Sequence, residues 1–245
     1  MFFSFDKRIL YVILIICVFT ALIGYASSPA NLLVLILSIP GVLIAITFHE
    51  YAHALAAYKL GDNTAKSQGR LTLNPFKHTD FIGIIMLLFL GFGWGKPVQI
   101  DSRNFNRNIS ESKAEAIVSF AGPAANFVLA LIFSIITALT IKFGWLEGLS
   151  QRAAQTIITI LEIVISMNVG LGVFNLIPLP PLDGSKILSH FLPYNAREWF
   201  RSNEQIFYII FLVIWITGIA GTIISPAINA IYRGLFKLIS MIVGL

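Results

Sequence analysis

His49, Glu50 and His53 stand together in the stretch HEYAH, and Asp183 stands in PPLDG. On a helix, positions i and i+4 share a face, so His49 and His53 can address one metal ion. Glu50 can orient or deprotonate water at such an ion. Two neutral imidazoles, a carboxylate and one open position suit zinc. A third protein ligand is needed, and His78, His190 and the acids near the membrane are candidates, with Asp183 the strongest. Pro178, Pro180 and Pro181 cannot continue a regular helix. Irregular backbone is tolerated at membrane depth where it lines a cavity. Gly184 would then permit a tight turn after Asp183. An ordinary surface aspartate in a helix-ending proline loop fits the same residues equally well.

These residues sit in an unusual setting. HEYAH closes a long apolar run, LLVLILSIPGVLIAITFHEYAH. A charge there is costly unless a cation and a water-accessible cavity offset it. The whole chain of 245 residues is 57% hydrophobic and only 12% charged. Its mean hydropathy is +0.83. Soluble domains carry about 25% charged residues, so an all-α polytopic membrane protein is expected instead. The formal net charge of +5 gathers in loops, with no basic patch interleaved with aromatics. Nucleic acid is therefore not an expected partner; the lipid bilayer is. The one cysteine, Cys17, lies in an apolar run and has no partner for an internal disulfide.

About 20 apolar residues cross a bilayer as a helix. Residues 8–26, 32–58, 114–141, 154–177 and 206–225 are long enough. The tail 227–245 carries Arg233 and Lys237 and either crosses as a sixth span or lies along the surface. The run 81–95 is short and glycine-rich, with Lys77 before it and Lys96, Arg103 and Arg107 after it. Positive charge on both sides argues for a re-entrant segment or hairpin rather than a crossing. Lys7 and Arg8 put the N-terminus in the cytosol. The same rule puts Lys59, Lys66, Arg70 and Lys77 inside, and also Lys186, Arg197 and Arg201. Residues 49–53 and 178–184 then fall at similar depth, toward the cytosolic side of a multi-pass protein in the cell membrane. One membrane-embedded domain over 1–245 is expected, with a catalytic core at 32–190.

With HEYAH and PPLDG in view, the chain resembles the site-2 protease family of intramembrane zinc metalloproteases. GRLTLNPFKHTD (69–80), GWGKPVQID (93–101), AGPAAN (121–126) and NLIP (175–178) extend the resemblance over about residues 40–190. The resemblance implies His49, His53 and Asp183 as ligands of one zinc ion and Glu50 as the general base. It implies a catalytic place for Asn126, whose amide can donate to a carbonyl oxygen as charge develops there. Asn175 is the weaker amide of the same kind, expected to hold the bent backbone before Asp183. Ala121, Gly122, Ala124 and Ala125 are small enough for close helix approach. Segments 65–80 and 96–101 are expected to form an edge strand or hairpin near the active site, where an unwound substrate could dock by strand addition. The 142–153 connection is too short for the PDZ domain that many relatives carry there, and no CBS domain is evident.

The function these features imply is zinc-dependent endoproteolysis of transmembrane or membrane-tethered proteins, single-span substrates included. The alternatives are a zinc-binding membrane transporter and a non-catalytic scaffold. Ligands within spans are compatible with transport. A carboxylate beside the first histidine is a general-base arrangement and favours hydrolysis.

Overall fold

The computed structural model describes residues 28–80, 82–85 and 95–244. The expected span 8–26, with Cys17 in it, and most of the run 81–95 lie outside the described residues. The named helices are α1 (Pro29–Lys59), α2 (Thr64–Ser67), α3 (Glu111–Lys142), α4 (Gln151–Asn175), α5 (Asp183–Phe191), α6 (Tyr194–Ser202), α7 (Glu204–Ile216) and α8 (Ile219–Val243). Helix is the form that lets one segment satisfy its own backbone in hydrocarbon.

Among the described residues, four stretches are long and apolar enough to cross a membrane: Ala30–Lys59, Glu111–Lys142, Gln151–Asn175 and Ile224–Val243. The protein is thus a membrane protein built from helices. The first three correspond to the expected spans 32–58, 114–141 and 154–177. The expected span 206–225 is divided. Its helix stops at Ile216, and Gly218, at φ +74°, turns the chain before α8 begins. The 13 residues of α7 reach only about 20 Å, short of the roughly 30 Å hydrocarbon core. The break falls at glycine, which adopts a left-handed backbone without strain. Pro226, which falls between the expected segments 206–225 and 227–245, lies inside α8.

Helix α3 is central and packs against α1, α4, α5 and α8. One buried cluster joins Ala130 of α3, Ile165, Val169 and Val173 of α4, and Ala220 and Ile224 of α8. A second joins Ala57 of α1 to Ala114 and Val118 of α3, with Phe105 from the connection between them. Alanines at these contacts allow the helix axes to approach closely.

That connection folds back over the end of α1. The carboxylate of Asp62, fully buried, accepts from the Thr64 amide and hydroxyl, the Asn104 side chain and the Asp101 amide. Val98 packs with Ala54 and Ala65, flanked by Leu71. Thr79 and Gly95 form an isolated antiparallel bridge, and the Lys96 amide donates to His78 O at 2.7 Å. The two ends of the intervening run therefore meet. Among the described residues this bridge is the only β pairing; the expected strand or hairpin over 65–80 and 96–101 does not extend beyond it. Pro97 within the second segment has no amide hydrogen to give to a ladder.

Candidate metal centre

His49 and His53 project from the last third of α1 onto the same face, as their spacing requires. Asp183 is the first residue of α5. The turn Pro178–Leu182 brings it there, and the Pro180–Pro181 peptide is cis. Gly184 follows with an ordinary helical backbone rather than a left-handed turn. Its need is for space: a Cβ there would fall inside 3.0 Å of the carbonyl oxygens of Leu176 and Ile177. The start of α5 rests directly on the end of α4, which sets where Asp183 stands.

Three atoms converge as a result. His49 Nε2 lies 3.0 Å from His53 Nε2. Asp183 Oδ2 lies 3.1 Å from each of them. The other ring nitrogens fix the tautomers. His53 Nδ1 lies 2.7 Å from the carbonyl of Val118, which can only accept. Asn126 donates its amide hydrogens to Ala45 O and Asn168 Oδ1, each at 3.0 Å, so its oxygen faces His49 Nδ1 at 2.7 Å. Both Nδ1 atoms therefore carry the proton, and both Nε2 atoms present lone pairs. Asp183 Oδ2 is buried without a donor. Three acceptors facing one another with no proton between them call for a cation. Ligands about 2.0–2.1 Å from a tetrahedral zinc ion lie about 3.3 Å apart, close to the observed triangle. Two imidazoles and one carboxylate are also a donor set that zinc favours. The residues fit the ion.

Helix α3 closes one side of the triangle through Gly122, against which both imidazoles lie. A Cβ on that residue would come 2.7 Å from His49 Cε1 and closer still to the His53 ring. Sequence reading gave Gly122 a helix-packing role; its immediate neighbours are the candidate ligands. The triangle opens on a cleft of about 490 Å³ that also holds Glu50, Val98, Asn175 and Lys186. Leu171, Phe174, Tyr208 and Phe211 give that cleft an apolar wall. Glu50 Oε2 accepts the Val98 amide at 2.9 Å.

The remaining candidates go elsewhere. His78 is fully buried and its Nε2 donates to Thr72 O at 2.6 Å. His190 meets Ser112 Oγ and the ring of Phe191. Among the described residues, the histidine and acid cluster able to hold a metal is His49, His53 and Asp183. Asn175 Nδ2 bonds back to Leu171 O in its own helix, so it does not grip the proline turn. Asn126 is fully buried with its amide committed as above. Asn168, which sequence reading passed over, orients that amide and in turn donates to Val164 O at 2.8 Å. An amide in the apolar stretch ILEIVISMNVGLGVF was the available signal. The Val118 carbonyl and the Val98 amide are backbone groups and leave no mark on residue type.

Residues 37–218 match peptidase family M50. The chain is 39% identical over 203 residues to a Bacillus subtilis protein described as "Putative zinc metalloprotease YwhC", spanning 82% of this chain and 90% of that one. Rip2 of Mycolicibacterium smegmatis, with the same zinc metalloprotease description, is 31% identical over 84% of this chain and 72% of its own. MJ0611 of Methanocaldococcus jannaschii, likewise described, is 26% identical over 76% of this chain and 84% of its own. No solved structure gives a significant match. The matched stretch takes in all three corners of the triangle and the cleft between them, and the chain belongs to peptidase family M50, as a membrane-embedded zinc metalloprotease.

Proposed function

We propose that this protein is an intramembrane endopeptidase that cuts transmembrane or membrane-tethered proteins, single-span substrates among them. In this reading His49, His53 and Asp183 hold one zinc ion and Glu50 is the general base. The observation that carries it is the meeting of three buried acceptor atoms, Nε2, Nε2 and Oδ2, on the cleft that holds Glu50.

When bound, zinc supplies Lewis acidity toward water and toward the scissile carbonyl. Glu50 takes a proton from the attacking water as its oxygen bonds to the carbonyl carbon. The same carboxyl then delivers that proton to the departing amine as the C–N bond breaks. Asn126 was expected to stabilise the developing oxyanion. Both of its amide hydrogens are engaged with protein acceptors, and we assign it instead to hold His49 by the Nδ1 proton. The apolar wall of Leu171, Phe174, Tyr208 and Phe211 suits a hydrophobic segment. A helical substrate hides its carbonyls in internal hydrogen bonds and must unwind locally before attack. The meeting of Thr79 with Gly95 is consistent with a re-entrant run between them. The lysines and arginines on the loops beside the centre favour a catalytic side toward the cytosol of the cell membrane. The catalytic core in this reading is 32–190.

The test is reconstitution of wild type and Glu50→Gln in lipid, with a panel of single-span peptides. Fragments are read by mass spectrometry and zinc by atomic emission. Cleavage by wild type alone, with zinc in both, is the expected result. Equal cleavage by both would remove Glu50 from the base role, and absence of zinc from both would remove the ligand assignment.

A further inference from the structure

The general base is held from outside the metal site. Glu50 Oε2 accepts the amide of Val98 at 2.9 Å. That amide belongs to the same peptide unit as the carbonyl of Pro97. The Pro97 carbonyl accepts Arg70 Nη1 at 3.0 Å, and the same nitrogen reaches Lys96 O at 3.1 Å. Charge, peptide and carboxylate thus stand in series: guanidinium, C=O, N–H, Oε2. Among the described residues Arg70 forms no ion pair. Its charge is directed at two carbonyls instead of a carboxylate, which is an unusual use of this side chain.

We propose that Arg70 is a positioning residue for Glu50, acting through the Pro97–Val98 peptide. The inference rests on Glu50 being the general base. A cation at the carbonyl end of a peptide polarises the unit and strengthens the bond its N–H donates. The bond to Oε2 restrains the carboxylate. Oε1 makes no hydrogen bond among the described residues, and it is the oxygen left to meet water. It lies beside Gly95, where a Cβ would stand 3.6 Å from it. Arg70 is itself anchored: its amide donates to Ala65 O at 2.8 Å, just after Gly69 turns the chain at φ +65°. Proline at 97 fixes φ and removes a competing amide from this bend. A mere surface clamp would not require the clamped carbonyl to share a peptide with the base's donor.

The experiment uses the full chain in lipid, labelled with ¹⁵N-valine. The Val98 amide resonance is assigned by its loss in Val98→Ile. The expected result for Arg70→Ala is an upfield shift of the Val98 amide proton, in the same direction as that caused by Glu50→Gln. On a cleavable single-span peptide, kcat falls about 10- to 100-fold from the misplaced base while KM stays within about threefold. Zinc content is unchanged, and Arg70→Lys recovers part of both the shift and kcat. An unmoved Val98 resonance in Arg70→Ala, or a loss expressed in KM alone, would overturn the proposal. Should Arg70→Ala not fold, Arg70→Lys is read alone. A kcat and a Val98 shift both equal to wild type would then overturn it, and a partial loss of both would uphold it. Persistent cleavage by Glu50→Gln would instead strike at the general-base reading beneath it, so the two failures are told apart.

Discussion

Gly122 of α3 lies face to face with His53 of α1, with no room for a methyl group between them. A helix that packs this tightly on an imidazole fixes the ring's position as well as its own. Gly122→Ala should therefore displace both rings and lower zinc affinity by at least about 10-fold, as loss of a supporting contact does elsewhere. Gly170→Ala in α4, with open space around its Cα, should leave zinc unchanged. Competition with a chromogenic chelator measures both.

Asn126 and Asn168 form a two-step support for His49. Asn126→Leu leaves the His49 Nδ1 proton without an acceptor and should weaken zinc by about 10- to 100-fold. Asn168→Val should act in the same direction and less strongly, because Asn126 keeps Ala45 O as a second anchor. An equal effect of the two substitutions on the zinc dissociation constant would refute that order.

Removing zinc should destabilise the protein as well as silence it. Three acceptor atoms would then face each other across about 3 Å with no cation between them. Chelation by phenanthroline should lower the melting temperature in detergent, and added zinc should restore it. Asp183→Ala, which leaves the imidazoles without their third partner, should show little further change on chelation.

Asp62 predicts a pH dependence away from the site. Burial raises its carboxyl pKa, but hydrogen bonds from Thr64, Asp101 and Asn104 outweigh this and hold it below the ordinary range. A depressed folded value stabilises the protein fully above the unfolded value of about 3.9 and loses that contribution as pH falls through the folded value. Asp62→Asn turns an amide toward backbone donors and should cost about 1–3 kcal/mol at neutral pH. Unfolding in mild detergent from pH 7 to 3 checks it: the gap between wild type and variant should close toward the acid end.

The parts legible in the sequence were those written as residue type and period. Histidines at 49 and 53 and the apolar runs around 32–58, 114–141 and 154–177 needed only helical geometry. Asp183 could not be separated from an ordinary loop aspartate by residues alone; what brings it to the histidines is the seating of Gly184 on the end of α4. The turn at Gly218 was hidden because the apolar run continues across it, and the expected break between 206–225 and 227–245 falls inside α8. The backbone donors and acceptors at Val98 and Val118 carry no signature in residue type. Asn126 was visible as a polar group in the right place, but its engaged amide follows from Ala45 O and Asn168, on two other helices. The transporter and scaffold alternatives give way to the family's peptidase activity.

The triangle draws two corners from α1 and the third from the first residue of α5, far later in the chain. Everything before Leu182 can enter the membrane and pack α1 against α3 and α4 with the third corner still missing. A chain made only as far as Leu182 thus lacks the third corner. The triangle closes only when α5 seats on the end of α4, and α6, α7 and α8 all come after its third corner in the chain.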